Sequence, residues 1–399
     1  MKKIVVTIFF LTLISLSQLC AEKGVNVENG VNSHLRISLL TCSEGNEDVA
    51  AAFGHSAIRV VDSLKNIDIV FNYGTYNFYE PGFIVKFLRG DLLYLLSVGD
   101  FNRFVNTYSR AGRSIVEREF NLTEEQKREV YDFLLNNAKP ENREYLYDFL
   151  IDNCATRIRD IFNSEGFGHI DYETDFTYRE RLEELIGNKY WLKFGTDLIL
   201  GARVDNLLDS QQEMFLPFIL EKNLSEYNNL LSGESLLSDP VIILQKASEE
   251  KSFFVKSMNY IFSPFSLFFI LLLFYSLCVC FLRDKRRFHR IFSNIFYVVL
   301  GVAGLVLLFM WVGTNHIWTK ANWNLLWMNP LFLLLPMFKS GSVKSILIKV
   351  LMVGPLAVLL GGIIIPQQFN IAFYPIVLLE IFVMVPAVVA EKRIIIRKR

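Results

Sequence analysis

The stretch YDFLIDNCATRIRD, residues 147–160, sets Cys154 behind Asp152 and Asn153 and ahead of a helix-like run. A short acceptor such as Asp152 or Asn153 caps a helix by taking an orphan backbone N–H. Ile158, Ile161 and Phe162 then share an inward face with Cys154. The thiol is expected in the first turn of that helix, where unpaired N–H groups and partial positive charge favour the thiolate, the reactive form of cysteine. Arg157 and Arg159 add positive potential nearby.

Such a nucleophile takes a base. His34 lies in a polar lead-in and His169 in a loop after Gly168, whereas His55 stands in FGHSAIRV, inside a strand and beside Gly54. His55 is the expected base. On the neighbouring strand Asp68 and Asn72 alternate on one face, and Asn72 is the expected orienting group for the imidazole. Plainer readings stand beside this one. Cys154 can be a small core hydrophobe, and His55 a structural strand histidine. Cys42 and Cys154 are also the only thiols left once Cys20 is removed and Cys278 and Cys280 enter a membrane span, and an exported pair can form a disulfide.

The elements that must position these residues read as α+β. LRISLLTCSEG, FGHSAIRVVD and IDIVFNYGTYNF are strand-like and expected to be neighbours in an antiparallel sheet. From Pro81 the run PGFIVKFLRGDLLYLLSVGDFNRFVNTYSR is expected to be mainly helical. NLTEEQKREVYDFLLNNA is a helix capped by Thr123, with Glu124 and Glu125 in its first turn, and Gly166 is the expected stop of the Cys154 helix.

The chain is 399 residues long with 52% hydrophobic residues, too apolar for an ordinary soluble enzyme. Residues 1–21 read as a signal segment ending at Ala21; Leu19 ahead of Cys20 is bulkier than a lipid-anchor signal takes. Residues 22–255 have the composition of an exported globular domain, and residues 256–399 that of an all-α membrane bundle. Five apolar stretches are expected to span, at 263–282, 292–313, 325–338, 346–365 and 371–390. The third is short and holds Pro330 and Pro336, so a broken or tilted span is expected there. RDKRRFHR and the tail EKRIIIRKR each carry five Lys or Arg, while TNHIWTKANWN carries only Lys320. The positive-inside rule therefore leaves residues 22–255 outside the cytoplasm, where a signal segment also sends them. Trp318, Trp323 and Trp327 read as an interfacial belt, with His316, Asn322 and Asn324 beside them near lipid headgroups or in a simple loop. Asn324 and Asn329 need partners if they are buried. A net charge of zero gives no hint of nucleic acid, no basic patch with interleaved aromatics appears, and no nucleic-acid partner is expected.

FGHSAIRV, FNYGTYNF, GRSIVEREFNLTEEQ, YLYDFLIDNCATRIRD, FGTDLILGARVDNLLDSQQEMFLP and, in the membrane part, NWNLLWMNPLFLLLP occur in this order. Together they resemble the Lnb-type lipoprotein N-acyltransferases of Bacteroidota. That resemblance implies a circularly permuted papain-like exported domain, with His before Cys, in the inner membrane and facing the periplasm. It implies acyl transfer from a phospholipid donor to the amine of a diacylglyceryl lipoprotein through a cysteine thioester. It places the nucleophile on Cys154 and the base on His55; Ala155 stands where many relatives carry Thr. No cofactor is expected, since a phospholipid ester already carries an activated acyl group. A membrane-anchored peptidase or amidase acting on cell-wall peptides is the alternative from a Cys-His pair, because fold does not choose among acyl chemistries. A non-catalytic membrane scaffold is the third.

Overall fold

Three runs that alternate inward and outward residues build the centre of the sheet: β1 (Leu35–Cys42), β2 (His55–Asp62) and β3 (Ile67–Thr75). The computed structural model describes residues 34–163, 173–187, 189–246, 253–338, 341–361 and 365–397. The expected signal segment, Gly166 and His169 lie outside the described residues. Leu35–Arg399 forms one compact unit. Its architecture is α+β, an antiparallel sheet followed by a helical region with several apolar helices.

Among the described residues the sheet has seven strands in the order β6-β4-β3-β2-β1-β5-β9, completed by β4 (Leu93–Asp100), β5 (Ile115–Glu119), β6 (Glu144–Leu146) and β9 (Val241–Leu244). Every pairing in it is antiparallel. A separate two-stranded ribbon pairs β7 (Glu173–Thr177) with β8 (Leu207–Asp209). One face of the large sheet buries Ile37, Leu39, Ile58, Val60 and Phe71 under Val130, Leu134, Ile158 and Phe162. Those four come from α3 (Glu124–Asn137) and α4 (Cys154–Phe162). The other face packs Leu40, Cys42, Ala57 and Val70 on Phe101 and Phe104 of α2 (Phe101–Arg110).

The stretch after Pro81 departs from the helical expectation. It makes a single short helix, α1 (Phe83–Arg89), then crosses the sheet as β4 before α2 begins. Gly90 at φ +76° closes α1, and the apolar residues that follow find their partners on β3 and β6. Non-local pairing overrides local propensity here. The α3 helix starts as expected, with Thr123 and Gln126 in a reciprocal capping box.

Among the described residues three helices are long and apolar enough to cross a membrane: α9 (Pro264–Phe281), α10 (Lys285–Val312) and α11 (Ser342–Leu360). They follow the short α8 (Phe253–Ile261), and α12 (Phe373–Arg397) adds the apolar stretch Phe373–Pro386. The expected third span is no continuous helix. It is two 3-10 turns, Trp323–Leu326 and Pro330–Leu334, broken where Asn329 bonds the Leu331 N–H ahead of the following turn. Trp327, Phe332 and Leu335 are buried within this stretch. Irregular backbone survives in an apolar medium only when protein covers it, and glycines permit that cover. A Cβ on Gly304 of α10 would lie 2.0 Å from the Met328 carbonyl oxygen, and one on Gly354 of α11 1.8 Å from that of Leu326.

The membrane region's connections hold the sheet domain through α5 (Tyr178–Ile186) and α6 (Tyr190–Ile199). Asn322 Nδ2 donates to the carbonyls of Leu198 and Ile199 at 2.8 and 2.9 Å, and Asn324 Nδ2 to that of Asp197 at 3.1 Å. These amides thus satisfy the carbonyls at the α6 C-terminus. Asn370 Nδ2 reaches the Asp197 carboxylate at 2.7 Å, which also takes Arg179 Nη1 at 2.8 Å. The aromatic belt expectation is corrected for two of its three tryptophans, Trp323 being exposed. Trp327 is buried and bonds Asn324 Oδ1, while Trp318 donates to the Asp148 carboxylate at 2.8 Å. Both indoles are held by polar partners within the protein, a buried one for Trp327 and a half-buried one for Trp318.

Gly304→Val and Gly354→Val are each expected to push the 323–335 stretch off its neighbours. Thermal unfolding of the detergent-solubilised protein should fall by at least about 5 °C. Gly195→Ala, in α6 with nothing within 4 Å of the added Cβ, should leave it unchanged or raise it.

Candidate active site

Asn153 is the cap of the Cys154 helix, and it does more than cap. Its Oδ1 accepts from the N–H groups of Ala155 and Thr156 at 2.8 and 3.0 Å, and Thr156 Oγ1 accepts in turn from the Asn153 N–H at 2.8 Å. Its Nδ2 donates to the carbonyls of Phe149 and Phe215 at 2.6 and 2.9 Å. With both ends of the buried amide used, the first turn is tied to the preceding turn and to a distant loop. Asp152, the other candidate cap, instead pairs with Arg157.

His55 opens β2, and the chain enters through Gly54 at φ +81°, where an added Cβ would meet the Cys42 carbonyl oxygen at 3.0 Å. Asn72 lies on β3 where a bulge shifts the register, and Gly74 there takes φ +86° beside Cys154. Ala57 and Val70, two residues from each, share one core face, so strand parity sends His55 and Asn72 to the same side. His55 Nε2 is 2.6 Å from Asn72 Oδ1. A ring N–H donating there leaves Nδ1 for the Cys154 thiol, and the thiol and the ring each stabilise the charged form of the other. The structure thus brings Cys154, His55 and Asn72 together. His34 belongs to the unit ending at residue 34 and not to the one that carries these three.

Electrostatics separate the two buried thiols. Burial pushes the Cys154 thiol up, but the His55 imidazolium, its hydrogen bond and the backbone N–H groups of Ser56 and Ala155 outweigh it. The Cys154 pKa falls below the ordinary thiol value. Burial also works against a charged His55, yet the Cys154 thiolate and the bonds to Cys154 and Asn72 raise it. The pair therefore favours thiolate and imidazolium. Cys42, directly opposite His55 in the β1–β2 ladder, is pushed up to about 12 by burial. It stays protonated, and both Cys42 and Cys154 are free thiols in the structure.

Sequence reasoning brought Cys42 to the site only as a disulfide partner of Cys154, whereas both thiols are free, and it did not find Tyr108 or Arg113 as neighbours. Tyr108 lies with its ring 6.4 Å from that of His55, and its hydroxyl and the Cys42 thiol influence each other's pKa. Arg113 stacks 4.7 Å over Tyr108 and donates to the Ser43 carbonyl at 2.7 Å. Only the position of Cys42 at the end of one strand and His55 at the start of the next signalled their contact. The other two depend on where α2 packs.

Iodoacetamide at pH 7 is expected to alkylate Cys154 in preference to Cys42. His55 is raised and Cys154 lowered, so the thiolate is present at lower pH than for an ordinary thiol and is lost as pH falls through the Cys154 value. His55→Ala should leave burial to hold the Cys154 thiol up and slow alkylation at pH 7 by about tenfold or more. Mass spectrometry of the labelled peptides against pH reads both effects. Asn153→Ala should cost about 2 kcal/mol or more of stability in denaturant titration.

Residues 30–183 match the Lnb N-terminal periplasmic domain and residues 256–393 the Lnb transmembrane domain. No curated protein and no solved structure matches the chain. The first match holds all three site residues, and the second holds the helices and 3-10 turns that carry the domain. The chain belongs to the Lnb family, a membrane-anchored, lipoprotein-modifying enzyme with a periplasmic domain.

Proposed function

We propose that this protein is a lipoprotein N-acyltransferase of the bacterial inner membrane that moves an acyl chain from a phospholipid to the N-terminal amine of a diacylglyceryl lipoprotein. The observation that carries the reading is a buried thiol lowered by a histidine, in a domain whose α6 is capped by the connections between membrane helices. Residues 22–255 form the catalytic domain, papain-like and permuted in that His55 precedes Cys154. Residues 256–399 form a multi-pass anchor with its basic loop and tail in the cytoplasm.

The Cys154 thiolate attacks the ester carbonyl carbon of the donor. Asn153 occupies the N–H groups of Ala155 and Thr156, so the N–H of Cys154 is the helix donor left to the oxyanion. The imidazolium gives its Nδ1 proton to the departing alkoxide, releasing a lysophospholipid and leaving the acyl group as a thioester on Cys154. Neutral His55, held in orientation by Asn72, then takes a proton from the lipoprotein α-amine as that amine attacks the thioester. The amide forms, the C–S bond breaks, and the thiolate and imidazolium return together. Water competes with the amine at the thioester, so burial of Cys154 serves the second step.

Cys154→Ala is expected to abolish N-acylation in cells lacking other copies, while Cys42→Ala retains it; mass spectra of lipoprotein N-termini report both. The wild-type protein incubated with phospholipid alone should gain one acyl group on Cys154. Cleaved muropeptide without an adduct would turn the assignment toward a cell-wall amidase, and unchanged triacylated N-termini in the Cys154→Ala strain would remove the transferase reading.

A further inference from the structure

The helix α1 buries none of its residues. Ile84 is 70% exposed, Val85 60%, Phe87 52% and Leu88 48%, and Phe78 just ahead is 66% exposed. Isolated helices this short are marginal in water, and this one presents apolar side chains to it.

Its position identifies what covers it. The Arg89 carbonyl accepts from the Asn315 N–H at 2.7 Å, the Phe87 carbonyl lies 3.2 Å from His316 Nε2, and Asp91 accepts from Asn315 Nδ2. A Cβ on Gly90 would meet the His316 ring at 3.1 Å, so glycine is required for that approach. Asn315 and His316 follow α10 within four residues of its last residue, Val312. The helix is thus tied to the level at which a candidate spanning helix leaves the apolar layer. Its cations are neutralised locally, Lys86 by Glu80 and Arg89 by Asp91 at 3.2 Å, which lowers the cost of entering that layer.

From this helix a row of rings leads inward. Phe87 and Phe83 are 6.3 Å apart, Phe83 and Tyr76 5.7 Å, Tyr76 and Tyr94 5.1 Å, and Tyr94 and Tyr147 4.3 Å. Tyr147 then flanks Gly74, whose Cβ position is 3.9 Å from the Cys154 Cβ. We propose that the segment from Tyr76 to Gly90 is seated in the periplasmic leaflet of the bilayer and, resting on the acyl-transfer reading above, forms the mouth through which a lipid acyl chain reaches Cys154. The row of rings is the wall along which the chain lies, since aromatic faces and acyl chains share apolar surface without requiring hydrogen bonds.

The full-length protein in vesicles of phosphatidylethanolamine and phosphatidylglycerol, doped with a phosphatidylethanolamine bearing a diazirine near its acyl terminus, tests the seating. Illumination should place adducts within residues 76–90 as well as on residues 264–397. Adducts confined to 264–397 would overturn the proposal and leave the surface to a protein partner. In the same vesicles the double substitution Ile84→Asp with Leu88→Asp should lose the 76–90 adducts and slow acyl-Cys154 formation by at least about tenfold, with iodoacetamide still reacting at Cys154. Equal acyl-Cys154 formation by variant and wild type would overturn the acyl path. A wild type that never forms acyl-Cys154 defeats the acyl-transfer reading instead, and the diazirine adducts still decide whether the helix is in the leaflet.

Discussion

The structure depends on the buried carboxylate of Asp197. It meets Arg179 from α5 and Asn370 from the connection before α12, while its backbone carbonyl accepts from Asn324 in the 3-10 segment. Arg179 divides itself between Asp197 and Asp205, and both ion pairs are nearly closed to solvent. A buried charge left without its partner costs several kcal/mol, so the parts around this aspartate must be present together. Two connections of the membrane region and two helices of the sheet domain converge on it. Trp318 extends the same contact to Asp148, whose carboxylate also holds the N–H groups of Leu150 and Ile151 just ahead of Asn153. The nucleophile's helix is thus positioned from the membrane side as well as from the sheet.

Within the site, one environment has opposite effects on two thiols. Cys42 and Cys154 are both buried, and burial raises both. Only Cys154 has a hydrogen-bonded imidazole and converging backbone donors to reverse that effect. Cys42 faces a tyrosine and a guanidinium that only partly offset its burial. The pair shows why a cysteine's reactivity follows from its immediate partners rather than from depth.

Much of this was legible in the residues. The turn residues that end β1 and the β-branched and aromatic residues of β2 and β3 identified the strands, and alternation along β3 put Asn72 on a face that His55 can reach. Asn153 was visible as one of two caps, since a short acceptor ahead of a helical run has few other uses. β4 was not legible, because LLYLL is apolar on both faces and reads equally as a buried helix. The roles of Trp318 and Trp327 were hidden for a different reason. An indole at a membrane boundary and one hydrogen-bonded inside protein have the same sequence context, and only tertiary contacts distinguish them. His316, Asn322 and Asn324 likewise looked like loop residues, yet all three bond backbone carbonyls of the sheet domain.

The segment from Trp323 to Leu335 carries a consequence for biogenesis. Helices such as α9 and α10 satisfy their own backbones and can enter lipid one after another as they are synthesised. The 3-10 stretch cannot, because its carbonyls and N–H groups lack that internal ladder and its cover includes α11, which is made after it. It must wait in a sheltered place until α11 arrives. Assembly of this bundle therefore runs out of step with translation, and its completion falls to a helix synthesised near the end of the chain.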